Sequence, residues 1–303
     1  MRVRVVLLSA LIAMAMGAAL AVPSIRNRVV DALHLDDPAA AGPLLPDGRM
    51  VGHANLRIAR QPAPPQPALV ARQVNINVTG FLAWALLDRQ TGSINGSPNH
   101  TTGQNTTESM IKAWIAADYL RGLGDKQPTQ QRLAELTRMI RDSDDNAAED
   151  IYTIAGRDRV LKRMVTICGM TETTLRSAYW SYTKVTARDA VRLGLCVADG
   201  RAAGPKWTPW ILGEMKQVRG SVAVEPGGGR WGIIDALPPD LAKNTGIKNG
   251  WTLLFADGQW HLNCLAVHPD FVLAVLTRYP GSLGKQYGAN LCKQVTEQLL
   301  RKA

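Results

Sequence analysis

The sequence predicts an α+β fold, an antiparallel sheet drawn from both ends of the folded part and flanked by helices. Two observations predict it. Strand-like apolar segments open the folded part and return after residue 231, and helically spaced apolar residues fill the stretch between them. No internal repeat that would mark a solenoid is visible. The 303 residues are 46% hydrophobic and 20% charged, enough to bury a core, which excludes a wholly disordered chain. The length fits one large domain with a tail, or two ordinary domains.

The elements follow in chain order. Arg2 and Arg4 precede an uncharged run from Val5 to Pro23 that ends in small residues, with Ala19-Leu20-Ala21 as a cleavage-like site. A basic start, an apolar middle and a small-residue end predict a secretory signal peptide over residues 1–21 and a secreted or cell-envelope location. An uncleaved anchor is the alternative, and the only route to a membrane. No cysteine stands near the site to carry a lipid. Residues 22–72 hold Pro23, Pro38, Pro43, Pro46, Pro62, Pro64, Pro65 and Pro67 among many alanines, and read as a linker with one short helix at Ile25–Leu35.

The folded domain is placed at residues 73–303. Val74–Val78 alternates and Phe81–Leu87 is apolar, and Asp88–Gly92 is a turn, so two antiparallel strands open the domain. A helix is predicted from Ser109 to Leu123, on Ile111, Trp114, Ile115 and Leu120. A second runs from Thr129 to Arg141, on Leu133, Leu136, Met139 and Ile140. Short helices fill 144–168 and 186–220. Strands return at Trp231–Ile234, Trp251–Phe255 and Trp260–Val267, and Leu291–Arg301 is an amphipathic helix.

The formal net charge is +10; loss of residues 1–21 would remove two arginines and no acid and leave +8. The basic residues are scattered, without a Lys/Arg-rich run or an aromatic RNA-binding signature, so no nucleic-acid partner is expected. No CxxC or HExxH spacing occurs, and neither metal nor cofactor is expected. In an exported chain Cys168, Cys196, Cys264 and Cys292 can form disulfides. The local pairs Cys168–Cys196 and Cys264–Cys292 are favoured, each tying a helix to a neighbouring element. The two other pairings, and four buried thiols, stay open.

Ser109-Met110-Ile111-Lys112 places a hydroxyl and an amine on one face of a helix start. Thr106 or Thr107 can cap that helix. In its first turn, free backbone N–H groups and the positive dipole end favour negative charge on Ser109. A lysine becomes a base through desolvation or a second cation nearby. The spacing by itself is weak, since Ser181/Lys184 and Ser282/Lys285 share it. Only Ser109 opens a strong helix and is followed in order by Ser143-Asp144-Asp145 and then Lys248-Asn249-Gly250-Trp251.

That order resembles the penicillin-recognising serine enzymes, the serine β-lactamases and penicillin-binding D,D-peptidases, whose motifs are Ser-x-x-Lys, Ser-Asp-Asn and Lys-Thr-Gly. The stretches Trp231–Asp235, Ile247–Trp251 and Trp260–Asn263 look like secreted actinobacterial relatives of class A β-lactamases. The resemblance covers residues 73–303 and implies a β-lactamase/transpeptidase-like fold. It implies that Ser109 is the nucleophile, Lys112 its base and Ser143 a proton relay, and that Lys248 holds a substrate carboxylate and helps keep Lys112 neutral. Asp145, Asn249, Gly250 and Trp251 would line the substrate site, with the Ser109 and Trp251 N–H groups as oxyanion donors. The implied partner is a peptidoglycan peptide or a β-lactam-like small molecule.

Four departures qualify this. Asp145 stands where the family has Asn, and a carboxylate cannot donate. Asn249 replaces a hydroxyl residue. The Glu-x-x-x-Asn arrangement that activates deacylating water is missing, since neither Glu149 nor Glu172 has Asn four residues on, so little or no β-lactam turnover is expected. Ser109 and Ser143 are also closely spaced, which implies a reduced helical subdomain. The competing expectation is a catalytically impaired module of the same fold that binds peptidoglycan or a protein partner. Trp207, Trp210, Trp231, Trp251 and Trp260 read as core or groove lining, and His261 and His268 as surface or satisfied core residues.

Overall fold

The computed structural model describes residues 68–223 and 228–301. The signal-peptide reading, and the linker as far as residue 67, lie outside the described residues. The chain is docked earlier than Gln73. Leu69 is buried and bridges Leu300, and Val70 N–H donates to Leu299 O at 2.8 Å.

The elements are β1 (Phe81–Asp88), β2 (Ile94–Gly96), β3 (Gln104–Thr106), a 3-10 turn at Glu108–Ile111, α1 (Lys112–Gly122), α2 (Gln130–Arg141), α3 (Asp145–Ile154), α4 (Asp158–Cys168), β4 (Lys184–Thr186), α5 (Ala187–Ala198), α6 (Thr208–Lys216), the short α7 (Pro239–Ala242), β5 (Gly246–Ile247), β6 (Gly250–Leu254), β7 (Gln259–Val267), β8 (Phe271–Pro280) and α8 (Gly284–Leu299). The main sheet runs β2–β1–β8–β7, and β5 and β6 share the far edge of β7. Every pairing is antiparallel. Strands from both ends of the folded part therefore make one sheet, as predicted.

The sheet is buried on both faces. Ala83, Ala85, Leu87, Leu265, Val272 and Ala274 point to the α1–α6 side. Trp84, Leu86, Leu262, Ala266, Leu273 and Val275 point to α8 and the turn at Gly232–Asp235. Alternate residues face opposite sides of a strand, so burial of both sides yields continuous apolar runs instead of alternation. This is why β8, the strand between β1 and β7, is not singled out by a pattern search. At Gly194 of α5 a Cβ would lie 2.5 Å from Val272 Cγ1, so only glycine lets the helix lie this close to the sheet.

Local chemistry sets the helix starts. Thr129 Oγ1 accepts from Arg132 N–H at 3.2 Å, Asp144 Oδ1 from Ala147 N–H at 2.9 Å and Thr186 Oγ1 from Asp189 N–H at 3.1 Å, each an N-cap bond. α1 is buried on nearly all sides and runs through the helical layer.

Three expectations are corrected. Val74–Val78 is not a strand: the N–H and carbonyl of Asn75 are taken by the Gln298 side chain of α8 at 2.8 and 2.9 Å, which leaves no ladder to form. The opening hairpin is instead β1–β2, across the predicted turn at Asp88. Trp231–Ile234 is not a strand: a 3-10 turn runs over Gly232–Asp235, where Gly232 has φ +84° and its N–H is held by the Asp235 carboxylate at 2.8 Å. Neither Thr106 nor Thr107 caps the Ser109 helix by a side-chain bond; their hydroxyls go to Glu108 and to the carbonyls of Trp180 and Ser181.

Both local disulfides form. Cys168–Cys196 ties α4 to α5, and Cys264–Cys292 ties β7 to α8. Each closes a separation of 28 residues, for which chain entropy gives roughly 3–4 kcal/mol. Replacing Cys264 and Cys292 together by Ser is expected to lower the urea midpoint to match a loss of about that size. An unchanged midpoint would show that the reduced chain is already restrained.

Candidate active site

The nucleophile candidate sits on a strained turn. Glu108, beside it, has φ +48°, and Ser143, on the separate link between α2 and α3, has φ +62°; both are left-handed conformations that cost free energy for residues with a Cβ. Between its buried neighbours Glu108 and Met110, Ser109 is partly exposed. It lines a cleft of about 280 Å³ with Glu108, Asp145, Glu149, Trp180, Trp251 and others. As a first-turn residue, its N–H has no intrahelical acceptor. Edge strand β6 closes on this turn: a Cβ on Gly250 would lie 2.5 Å from Met110 N and 2.7 Å from Ser109 N. Gly250 therefore lets two backbones touch.

Beneath the cleft two buried amines meet one hydroxyl. Lys248 Nζ donates to Ser143 Oγ at 2.9 Å and to Asn249 O at 3.1 Å. Lys112 Nζ donates to Ser143 O at 2.5 Å, reaches Ser143 Oγ at 3.4 Å and pairs with Asp145 Oδ1 at 2.5 Å. Both lysines are 0% exposed, whereas the Asp145 side chain is 81% exposed. Burial pushes the Lys112 amine below its ordinary value, and Asp145 works against that. Burial pushes Lys248 down much further, helped by the nearby Lys112 charge. Among the described residues no carboxylate contacts Lys248.

Lys248 is positioned by a break in the sheet. β5 and β6 both pair with β7, and Lys248-Asn249 interrupts them while the Lys248 N–H still donates to Leu265 O at 3.0 Å. Ser143 reaches the lysines because α2 ends at Arg141 and α3 begins at Asp145.

The motifs thus converge, with two corrections. Among the described residues no hydrogen bond joins Lys112 to Ser109; the amine turns instead to Ser143 and Asp145. Asn249 does not face substrate. Its Nδ2 group donates to Gly229 O at 2.7 Å and Trp231 O at 2.8 Å, so both amide hydrogens are used and the residue holds the 229–231 segment. Trp251 lines the cleft and packs edge-on against Trp231, centroids 5.5 Å apart.

Other cleft groups were not singled out by motif. Glu108 is 4% exposed and burial raises its carboxyl to about 7. Glu149 accepts from Trp180 Nε1–H at 3.0 Å, and Trp180 lies 5.4 Å from Lys112 Nζ. Glu108 carries a signal in its position beside Ser109; Glu149 and Trp180 come to the cleft only through folding. Glu172 is held by Arg188 and Arg192 instead. Among the described residues no group of three or more His, Cys, Asp or Glu is arranged to hold a metal. None of their helices is long and apolar enough to cross a membrane.

No family model matches the chain, and no curated protein matches its sequence. Solved structures do match. A class A β-lactamase from Mycobacterium abscessus is 17% identical with a TM-score of 0.53, covering 73% of this chain and 94% of that one. A β-lactamase from Burkholderia vietnamiensis is 16% identical with a TM-score of 0.57, covering 72% and 89%. One from Xanthomonas campestris is 16% identical with a TM-score of 0.55, covering 73% and 92%. At such identities the likeness is one of architecture, and on it the chain has the fold of the class A β-lactamases.

Proposed function

We propose that this chain is an exported serine hydrolase of the penicillin-recognising type, acylated at Ser109 by a cell-wall peptide or a related acyl compound. The observation that carries this reading is the meeting of the Lys112 and Lys248 amines at the Ser143 hydroxyl, below the cleft that Ser109 lines. Amines buried side by side are hard to keep doubly charged, so one of the pair is favoured neutral and can accept a proton. Ser109 attacks the acyl carbon, and its proton passes to Lys112 once that amine swings from Asp145 toward Ser109. Ser143 passes a proton on to the leaving nitrogen. The Ser109 N–H and a donor from β6, the Trp251 N–H, hold the oxyanion. Burial and the Lys112 charge push Lys248 toward neutrality, and Lys248 attracts a substrate carboxylate when it carries the proton. Without the Glu-x-x-x-Asn pair, hydrolysis of the acyl-enzyme is slow. The signal-like start and the two disulfides support a location outside the cytoplasm.

Incubation with penicillin is expected to give a covalent adduct by intact-protein mass spectrometry, mapping to Ser109 and lost in Ser109→Ala. A folded protein that takes neither penicillin nor a fluorophosphonate would overturn the reading. p-Nitrophenyl esters compared with D-Ala-D-Ala peptides separate peptidase from esterase action.

One observation favours a second reading, a module that binds peptidoglycan or a protein partner without turnover: Asp145 pairs with Lys112 and favours its charged form. Cell-wall pull-down that persists in Ser109→Ala, with no adduct in the wild type, supports it.

A further inference from the structure

A chain of side chains leads from the cleft to the surface through groups that the three motifs do not contain. Glu108 Oε2 accepts from the Thr252 hydroxyl of β6 at 2.7 Å, and Glu108 Oε1 lies 2.6 Å from Thr106 Oγ1. Thr106 Oγ1 lies 2.8 Å from His261 Nδ1, and His261 Nε2 lies 2.9 Å from Asp257 Oδ2. Glu108, Thr106 and His261 are each 4% exposed, whereas the Asp257 side chain is 37% exposed.

Proton stoichiometry makes this more than a structural network. The four links need four hydrogens. The two threonine hydroxyls supply two, that of Thr252 when it turns to Glu108 and not to Trp251 O, which lies at the same 2.7 Å, and the His261 Nε2–H aimed at the Asp257 carboxylate supplies a third. The fourth has two possible homes. On Glu108 Oε1, it is donated to Thr106, whose own hydrogen then points to a neutral His261 Nδ1. On Nδ1, it is donated to Thr106, whose hydrogen then points to a Glu108 carboxylate. The Thr106 hydroxyl faces one way or the other, and all links stay made in both states.

We propose that Glu108, Thr106, His261 and Asp257 form a one-proton relay between the Ser109 cleft and the surface, with Glu108 as its acid–base terminus in the cleft. In the transfer the Glu108 O–H bond breaks and its proton joins Thr106 Oγ1. The Thr106 O–H bond breaks and its proton joins the lone pair of His261 Nδ1. One positive charge moves to the imidazole, and no co-reactant is consumed. Loss of the Nε2 proton past Asp257 to water completes the passage. Burial favours the proton on Glu108, since it raises that carboxyl to about 7 and lowers the His261 ring below its ordinary value.

Most neighbouring charges act the same way, while the Lys112 amine, which interacts with Glu108, favours its carboxylate. Asp145 and Asp257 face Glu108 and hold its proton on, and Glu149 lines the same cleft. Arg278 of β8 and Lys184 of β4 disfavour a charged His261, and Asp257 opposes them. The use of this relay during acyl transfer rests on the Ser109 reading; the relay itself does not.

The test is NMR of the full chain with ¹³C-labelled Glu and ¹⁵N-labelled His from pH 5 to 9. In the wild type the His261 Nδ1 resonance is expected to shift with the midpoint of the Glu108 carboxyl, because Thr106 turns from ring to carboxylate. Thr106→Val should abolish that shared step, Thr106→Ser should restore it, and Glu108→Gln should remove it from the ring. An Nδ1 resonance that ignores the Glu108 midpoint in the wild type, or follows it unchanged in Thr106→Val, would overturn the proposal. These resonances remain readable in a protein that takes no acyl group, so failure of the relay and failure of the Ser109 reading are told apart.

Discussion

Gly250→Ala is expected to slow Ser109 acylation on the order of 100-fold and to destabilise the fold by about 1–3 kcal/mol. The new methyl carbon would lie 2.5 Å from Met110 N and 2.7 Å from both Ser109 N and Thr107 O. All three are backbone atoms, so no side chain can swing aside. Either β6 or the Glu108–Ile111 turn must move, and the turn carries the nucleophile and one oxyanion donor. A shift of about 1 Å suffices for a loss of that size. Adduct formation followed by mass spectrometry, together with thermal melting, checks both effects. Gly122→Ala, at a helix end where a Cβ meets nothing within 4 Å, is the matched control and should leave both unchanged. A Gly250→Ala protein with wild-type rate and melting would remove the close approach of β6 from the account of the site.

Asp145→Asn is expected to speed acylation roughly tenfold at neutral pH. The Asp145 carboxylate touches the Lys112 amine at 2.5 Å and favours the charged form, against the burial that lowers its pKa. An amide removes that charge but keeps an oxygen acceptor. The sign follows from the base's task. Lys112 accepts the Ser109 proton only when neutral, so the rate rises with pH toward the lysine pKa. Lowering that pKa moves the rise to lower pH and leaves more neutral amine at pH 7. The Asp145 side chain is largely in solvent, which screens the pair and keeps the expected gain to roughly tenfold. The pH profile of adduct formation should therefore shift to lower pH in Asp145→Asn. A profile that stays in place, or shifts upward, would show that Asp145 does not set the charge of Lys112. The amide also restores a donor, so cell-wall peptide binding should strengthen.

The two substitutions act on different parts of the site. Gly250 governs where Ser109 stands, and Asp145 governs the charge on the amine below it. Their effects should combine without compensation, because neither residue touches the other's partner.

The α+β class was legible in the sequence because helical spacing at Ile111–Leu120 and Leu133–Ile140, and apolar runs at both ends, are local properties. So was the order of the Ser109, Ser143 and Lys248 motifs, whereas the cysteine pairing, favoured but left open by the sequence, was decided by the fold. Other features depended on distant partners. Val74–Val78 has strand periodicity, yet Gln298, more than two hundred residues away, takes the backbone N–H and carbonyl of Asn75. Trp231–Ile234 is apolar enough for a strand, but a carboxylate at Asp235 and a left-handed Gly232 wind it into a turn. β8 is buried on both faces and shows no alternation to read.

For the site, sequence determined which chemical groups are present and in what order. Tertiary structure decided their directions: Asn249 toward the 229–231 backbone, Lys112 toward Asp145, and Glu108 toward a histidine on β7. The physical reason is that a side chain's direction and charge are set by the donors, acceptors and burial around it, and those come from elements far apart along the chain.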